Sequence, residues 1–231
     1  ETALRAWLRT NNLSLIVTRN QTSRDRGDLQ QPFNLEVPGG VKTAKATGKV
    51  YQVSHYQILQ GNQVRGYPGV EAGRRVLAQP MATSQHNVAN PSGPAGSTKI
   101  AADGSTAVFV PANRALAWQT TDASGEPVVR ERVWVTMQPG EIRTCAGCHG
   151  ENSRNQVNAA EAANKPEALR ALLRQWKQAT GGGPILVNGS QPLTPTRSTT
   201  SASLATTAGA SPQTTTASGN TALTSALIER S

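Results

Sequence analysis

The chain has 231 residues, 36% hydrophobic and only 4% aromatic, with 23 Lys and Arg against 14 Asp and Glu for a formal net charge of +9. No apolar run approaches the length that crosses a bilayer as a helix, and with two cysteines in all there are too few for a four-thiolate zinc site or an iron-sulfur cluster. The cations are scattered from Arg5 to Arg230 without a recognisable nucleic-acid motif, which argues against specific nucleic-acid binding and for an acidic protein partner.

Taken in chain order, Ala3, Leu4, Trp7 and Leu8 fall at helical spacing and predict a short amphipathic helix that Asn11 and Asn12 end. Residues 13–18 form a β-prone run, and 23–31 a charged, glutamine-rich loop. Val50, Tyr51, Val53, Tyr56 and Ile58 predict a strand over 48–59, with Gly61 and Asn62 as the turn of a hairpin. Residues 90–97, rich in Pro and Gly, read as an irregular connection.

Beyond this point short strands follow at regular spacing, over 106–110, 115–120 and 128–137, separated by turns at Asp103-Gly104, Pro111-Ala112-Asn113 and Ser124-Gly125. This is the pattern of an antiparallel sandwich. In the last strand, Val129, Val133, Val135 and Met137 share one face. After a turn at Pro139-Gly140-Glu141 comes Cys145-Ala146-Gly147-Cys148-His149. A helix is expected from about Asn164, with Pro166 in its first turn, Leu169, Leu172, Leu173 and Trp176 as its apolar stripe, and Gly181 to stop it. From about Asn188, Ser, Thr, Ala, Gly and Pro dominate; a segment of this kind buries too little apolar surface to order itself and reads as a tail or stalk that neighbouring subunits would order.

The fold expected is mainly β with a few short helices: a small antiparallel β-sandwich, a haem site, a covering helix and a low-complexity tail. Three segments follow: 1–98, a helix and irregular β structure; 99–183, the sandwich strands with the Cys-rich motif and the helix; and 184–231, the tail.

The pentapeptide carries the chemistry. The spacing C-x-x-C-H is that of a c-type haem attachment site. Cys145 and Cys148 would each add to a porphyrin vinyl group, and His149 would be the proximal iron ligand. A thioredoxin-like dithiol calls for a βαβ context that is not seen here, and a disulfide closing so small a loop would stabilise little. For the second axial position the candidates are His86, in a flexible stretch able to fold over the haem, then His55, Met81 and Met137. An unfilled position would point to ligand binding or catalysis.

The run from Ala102-Asp103-Gly104-Ser105 through Pro111-Ala112-Asn113, Trp118-Gln119 and Pro139-Gly140-Glu141 to Cys145, Cys148 and His149 resembles the C-terminal cytochrome c region related to the hydrazine synthase alpha subunit. There a small β-sandwich leads directly into C-x-x-C-H. The resemblance covers about a third of the chain and implies covalent haem at Cys145 and Cys148 with His149 on the iron.

The function expected is a c-type cytochrome carrying one covalent haem c and passing single electrons between exported redox partners, rather than an independent catalyst. The alternatives are a haem-bearing subunit or domain of a larger redox enzyme, and a structural subunit of a surface assembly with a haem relay. Glu1 opens the chain without a methionine or signal segment, which reads as a mature or excised product, and haem attachment places it in the periplasm or at the cell surface.

Overall fold

Amphipathic spacing and paired asparagines shape the first turn of the structure. Helix α1, Thr2–Thr10, buries Leu4 and Leu8 one turn apart. It ends where the Asn11 side chain donates to the Trp7 carbonyl at 2.8 Å and Asn12 adopts a left-handed φ of 52°. Asparagine tolerates that conformation, and the chain reverses into strand β1, Leu13–Thr18. The computed structural model describes residues 1–26, 33–67, 70–80, 86–131, 133–148 and 154–181, with the backbone alone over 62–80.

Ten further strands and one helix follow among the described residues: β2 Asn34–Glu36, β3 Lys42–Thr43, β4 Val50–Gln52, β5 His55–Tyr67, β6 Val70–Pro80, β7 Ser97–Lys99, β8 Thr106–Pro111, β9 Leu116–Thr121, β10 Pro127–Arg130, β11 Ile142–Cys145 and α2 Glu167–Ala179. They build a three-stranded sheet in the order β11-β1-β8, a larger one in the order β10-β9-β5-β6 with β7 also on β5, and a small one in the order β3-β2-β4. The architecture is mainly β, as expected. Pairing is mostly antiparallel, but β1 runs parallel to β11, and β2 to β4.

Alternation along β1 divides the core. Ile16 faces Val108, Val110, Tyr56, Ile58, Leu116 and Val129, so the first two sheets close on one another as a sandwich whose core Leu35, Val37, Val53 and Met137 complete. Leu15 and Val17 point the other way with Ala107 and Phe109, and Leu4, Leu8, Leu172 and Trp176 of the two helices cover them. Each such side chain contributes about 1.5–3 kcal/mol by leaving water.

Several expectations change in the folded chain. No turn forms at Gly61 and Asn62: β5 continues to Tyr67, and register shifts in its pairing with β6 absorb the irregular residues. The single strand expected over 128–137 breaks after Arg130, because the Glu131 carboxylate accepts the Val133 N–H at 2.8 Å and diverts the backbone from the ladder. Val135 then rejoins the sheet by a bridge to Leu116, while Val133 is 63% exposed rather than in the core. A boundary near residue 98 would run through both large sheets, since β5 pairs with β9 and β1 with β8; one unit spans Glu1–Gly189. The tail expected over 184–231 lies outside the described residues.

The free edge of β8 is closed by a side chain. Asn87 accepts the Phe109 N–H at 2.7 Å through Oδ1 and donates to the Phe109 carbonyl at 2.9 Å through Nδ2, and its own carbonyl receives the Gln175 amide at 2.6 Å. The side-chain amide thus imitates a neighbouring strand, and the backbone carbonyl of the same residue links the sheet edge to α2. Asn87→Ala leaves two buried backbone groups without partners. It is expected to lower unfolding free energy by about 2–4 kcal/mol in urea titration, whereas a loss within 0.5 kcal/mol would show that the edge is readily solvated.

Candidate functional site

Cys145 is the last residue of β11 and stands opposite Thr18 of β1 in parallel register. Ile142 of the same strand packs towards the helices, so alternation turns Arg143 and Cys145 to the sandwich side. The next residues are zipped onto the segment after β1: Arg19 N–H donates to the Cys145 carbonyl at 2.9 Å, Asn20 N–H to Ala146 at 3.2 Å, Cys148 N–H to Ser23 at 2.8 Å, and Asp25 N–H to Cys148 at 3.0 Å. Gln156 anchors that segment in turn. Its side chain accepts the Arg24 N–H at 2.9 Å and donates to the carbonyls of Thr22 and Phe33 at 2.8 and 3.0 Å.

Both cysteines are half-buried and lie in the wall of one cleft of about 220 Å³ at the end of the sandwich core. Ile16, Tyr56, Trp118, Val129 and Val135 make its apolar lining; Thr18, Gln21, Thr120, Glu131 and Arg143 bring polar groups. Gln21 is held by donating to Thr106 Oγ1 at 2.9 Å, which leaves its Oε1 to accept the Cys148 thiol at 3.4 Å. The Arg143 guanidinium pairs with Glu141 at 2.7 Å.

Burial pushes the Cys145 thiol above its ordinary range, against a smaller opposing effect of Arg143. A protonated thiol is a poor partner for exchange, which weighs against a redox dithiol. Burial likewise raises the Tyr56 hydroxyl well above the usual range for tyrosine, and the neighbouring Cys148, Cys145 and Glu131 add to it. Tyr56 is held in place by a tilted ring contact with Trp118 at 6.2 Å.

The candidate axial ligands are dispersed. His149 and Met81 lie outside the described residues. His86 sits edge-on to Trp7, with ring centroids 5.3 Å apart, and Trp7 packs with Phe109 and Trp176 on the helix-covered face of the three-stranded sheet. The sheet therefore stands between His86 and the cysteines, and the two are not brought together. The reason is Asn87, whose bonds to Phe109 fix the adjacent backbone on that side.

His55 is buried on β5, but it alternates with Tyr56 and so faces away from the cleft, with Asn90 Nδ2 at 3.1 Å from its Nδ1. Burial, and to a lesser degree Lys99, lowers its pKa. Met137 is fully buried in the sandwich core and is not among the residues that line the cleft. Helix α2 covers the opposite face of the three-stranded sheet, so it closes the core and not the cleft. Among the described residues no three of His, Cys, Asp and Glu gather as a metal site.

Gln21, Tyr56, Trp118, Thr120, Glu131 and Arg143 were not singled out as site residues from sequence. For those on strands the only signal there is alternation, which tells that Tyr56 shares a face with Ile58 but not which strand lies beside it. Register supplies the rest: Tyr56 stands opposite Thr120, and Thr120 opposite Val129.

Comparison with known proteins bears on this region. The family model described as the hydrazine synthase alpha subunit middle domain matches residues 45–150. The match runs from just before β4 to just past the pentapeptide, so the similarity is to a middle domain rather than a C-terminal region, and it begins well before Ala102. Among solved structures, hydrazine synthase from Kuenenia stuttgartiensis is similar at 18% identity with a TM-score of 0.39, over 69% of this chain and 20% of that one. The chain thus spans about a fifth of the length of that relative. A search of curated proteins finds no match.

Proposed function

We propose that this chain is a haem-bearing subunit or domain of an exported, multi-component redox enzyme, with one haem c tethered through thioethers at Cys145 and Cys148 and His149 as its proximal ligand. The observation that carries the reading is the convergence of both thiols in the wall of one largely apolar cleft. The family match over residues 45–150, which takes in the whole C-x-x-C-H motif, supports the relation to a redox enzyme's subunit.

The residues present fit the group. When bound, haem supplies a one-electron iron couple and an axial position for a further ligand. Ile16, Tyr56, Trp118, Val129 and Val135 give the ring an apolar wall and keep water from it. Gln21 orients Cys148, and Arg143 places a cation at the cleft for an anionic substituent of the ring.

Two observations favour the subunit over a self-contained carrier. At about 220 Å³ the cleft is smaller than the roughly 300–1,000 Å³ of sites that enclose a ligand of drug size, so these residues alone would not enclose a porphyrin and neighbouring chain would have to cover the rest. Among the described residues, no histidine or methionine lines the cleft, so none of these would offer a second iron ligand there. A charge of +9 suits an acidic neighbour, chiefly by speeding encounter.

The test is production of the full chain in a host that attaches haem outside the plasma membrane. One covalent haem per chain is expected on the peptide containing Cys145 and Cys148, and Cys148→Ser is expected to reduce two thioethers to one, with both lost in the double serine variant. Wild-type chain recovered from such a host with two free thiols, or with a disulfide, would sink the proposal.

A further inference from the structure

The cleft holds one group that the fold itself does not use. Thr120 is 3% exposed, lines the same cleft as both thiols, and its buried Oγ1 has no hydrogen-bond partner among the described residues. Leaving a buried hydroxyl unpaired costs about 1–3 kcal/mol. Valine has nearly the same shape, suits a β-strand as well and carries no such cost. The hydroxyl is therefore a burden on folding at this position.

Its neighbours sharpen the point. Across the ladder on one side is Tyr56, 2% exposed, and on the other Val129, while Trp118 precedes it on the same face. Thr120 is thus a hydrogen-bonding group set in an otherwise apolar stretch of the lining, with the Tyr56 side chain beside it. The described axial candidates lie elsewhere, as His55 and His86 face other surfaces and Met137 is held in the core.

We infer that Thr120 is a positioning residue of this site, its hydroxyl donating a hydrogen bond to a small lone-pair ligand carried by the tethered group. The inference rests on the haem reading above and deepens it. The chain then selects ligands by their capacity to accept a hydrogen bond, and the Tyr56 ring limits the room beside Thr120.

The experiment uses the full chain with its covalent haem and carbon monoxide as the probe. In Thr120→Val the ferrous adduct is expected to release carbon monoxide about three- to tenfold faster, the loss of one net hydrogen bond, and its C–O stretch is expected to shift to higher wavenumber. Thermal stability of the ligand-free chain is expected to hold or rise, which a structural role for the hydroxyl would not allow. Unchanged release and stretch, a fall in stability, or a wild-type chain that carries haem yet forms no adduct would each overturn the inference while leaving haem attachment intact. Absence of covalent haem from the wild-type chain would instead overturn both, so the two failures are told apart by the haem content measured first.

Discussion

Gly147→Ala is expected to abolish efficient haem attachment while leaving Cys145, Cys148 and His149 in place. A Cβ at residue 147 would stand 2.3 Å from the Ser23 carbonyl oxygen and 3.0 Å from its carbon. Those atoms are backbone, and the same Ser23 carbonyl accepts the Cys148 N–H at 2.8 Å. The segment 145–148 would have to part from 19–25, losing that bond and the neighbouring one from Asp25 to Cys148.

Overpacking costs about 1–3 kcal/mol and each lost bond about 1 kcal/mol, so a destabilisation of about 3 kcal/mol is expected. Urea unfolding of the ligand-free variant measures the stability part and haem yield per chain the functional part. A variant with wild-type stability and yield would show that the motif is not held in the backbone arrangement described here.

Asp103→Ala is expected to have the largest effect on stability among the exposed turns, because one carboxylate joins the sandwich to α2. Asp103 Oδ2 accepts the Asn164 amide at 2.8 Å and the Glu167 N–H at 3.0 Å, while Oδ1 accepts the Ser105 N–H at 3.0 Å and its hydroxyl. Ser105 Oγ in turn accepts the Ala168 N–H at 3.0 Å. The first turn of α2 thus takes its caps from a turn more than sixty residues earlier, with no side-chain cap from Pro166. Removing the acceptor is expected to cost about 2–3 kcal/mol, discounted for the partial exposure of the site.

The pH dependence has a definite sign. Burial of Asp103 acts to raise its pKa, but the hydrogen bonds from Ser105, the Glu167 N–H and Asn164 outweigh it, and the net shift is downward. The folded state therefore holds this carboxyl ionised more strongly than the unfolded state does. The stability it confers is present above the unfolded value of about 3.9 and is lost as pH falls through the lower folded value. Asp103→Asn is expected to flatten the acid limb of the stability curve, and an acid limb unchanged from wild type would remove Asp103 from the account.

The parts of the fold that were legible in sequence are those set by local patterning. Leu4 and Leu8, or Leu172 and Trp176, lie within one or two helical turns of each other, so periodicity alone identifies α1 and α2. The strands over 106–110 and 115–120 are bounded by turn residues that adopt the expected conformations, including Gly104 with φ of 81° and Asn113 with φ of 58°. Where a long-range contact competes with local preference the reading fails. Gly61 and Asn62 favour a turn, yet β6 holds them within β5; alternation predicts a buried Val133, yet Glu131 takes its N–H and turns it outward.

The same division applies to the site. Cys145-Ala146-Gly147-Cys148-His149 carries its chemical meaning in covalent order, because the distance between thiols three residues apart is limited by the chain itself, and that much is read without a structure. What the thiols face is decided by contacts distant in sequence: β1 beside β11, Gln21 under Cys148, and Tyr56 and Thr120 brought together by the pairing of β5 with β9. Only the folded chain places His86 behind the three-stranded sheet, His55 on the outer face of the larger one and Met137 in the core, since strand alternation assigns a residue to one of two faces and tertiary packing alone determines what each face meets.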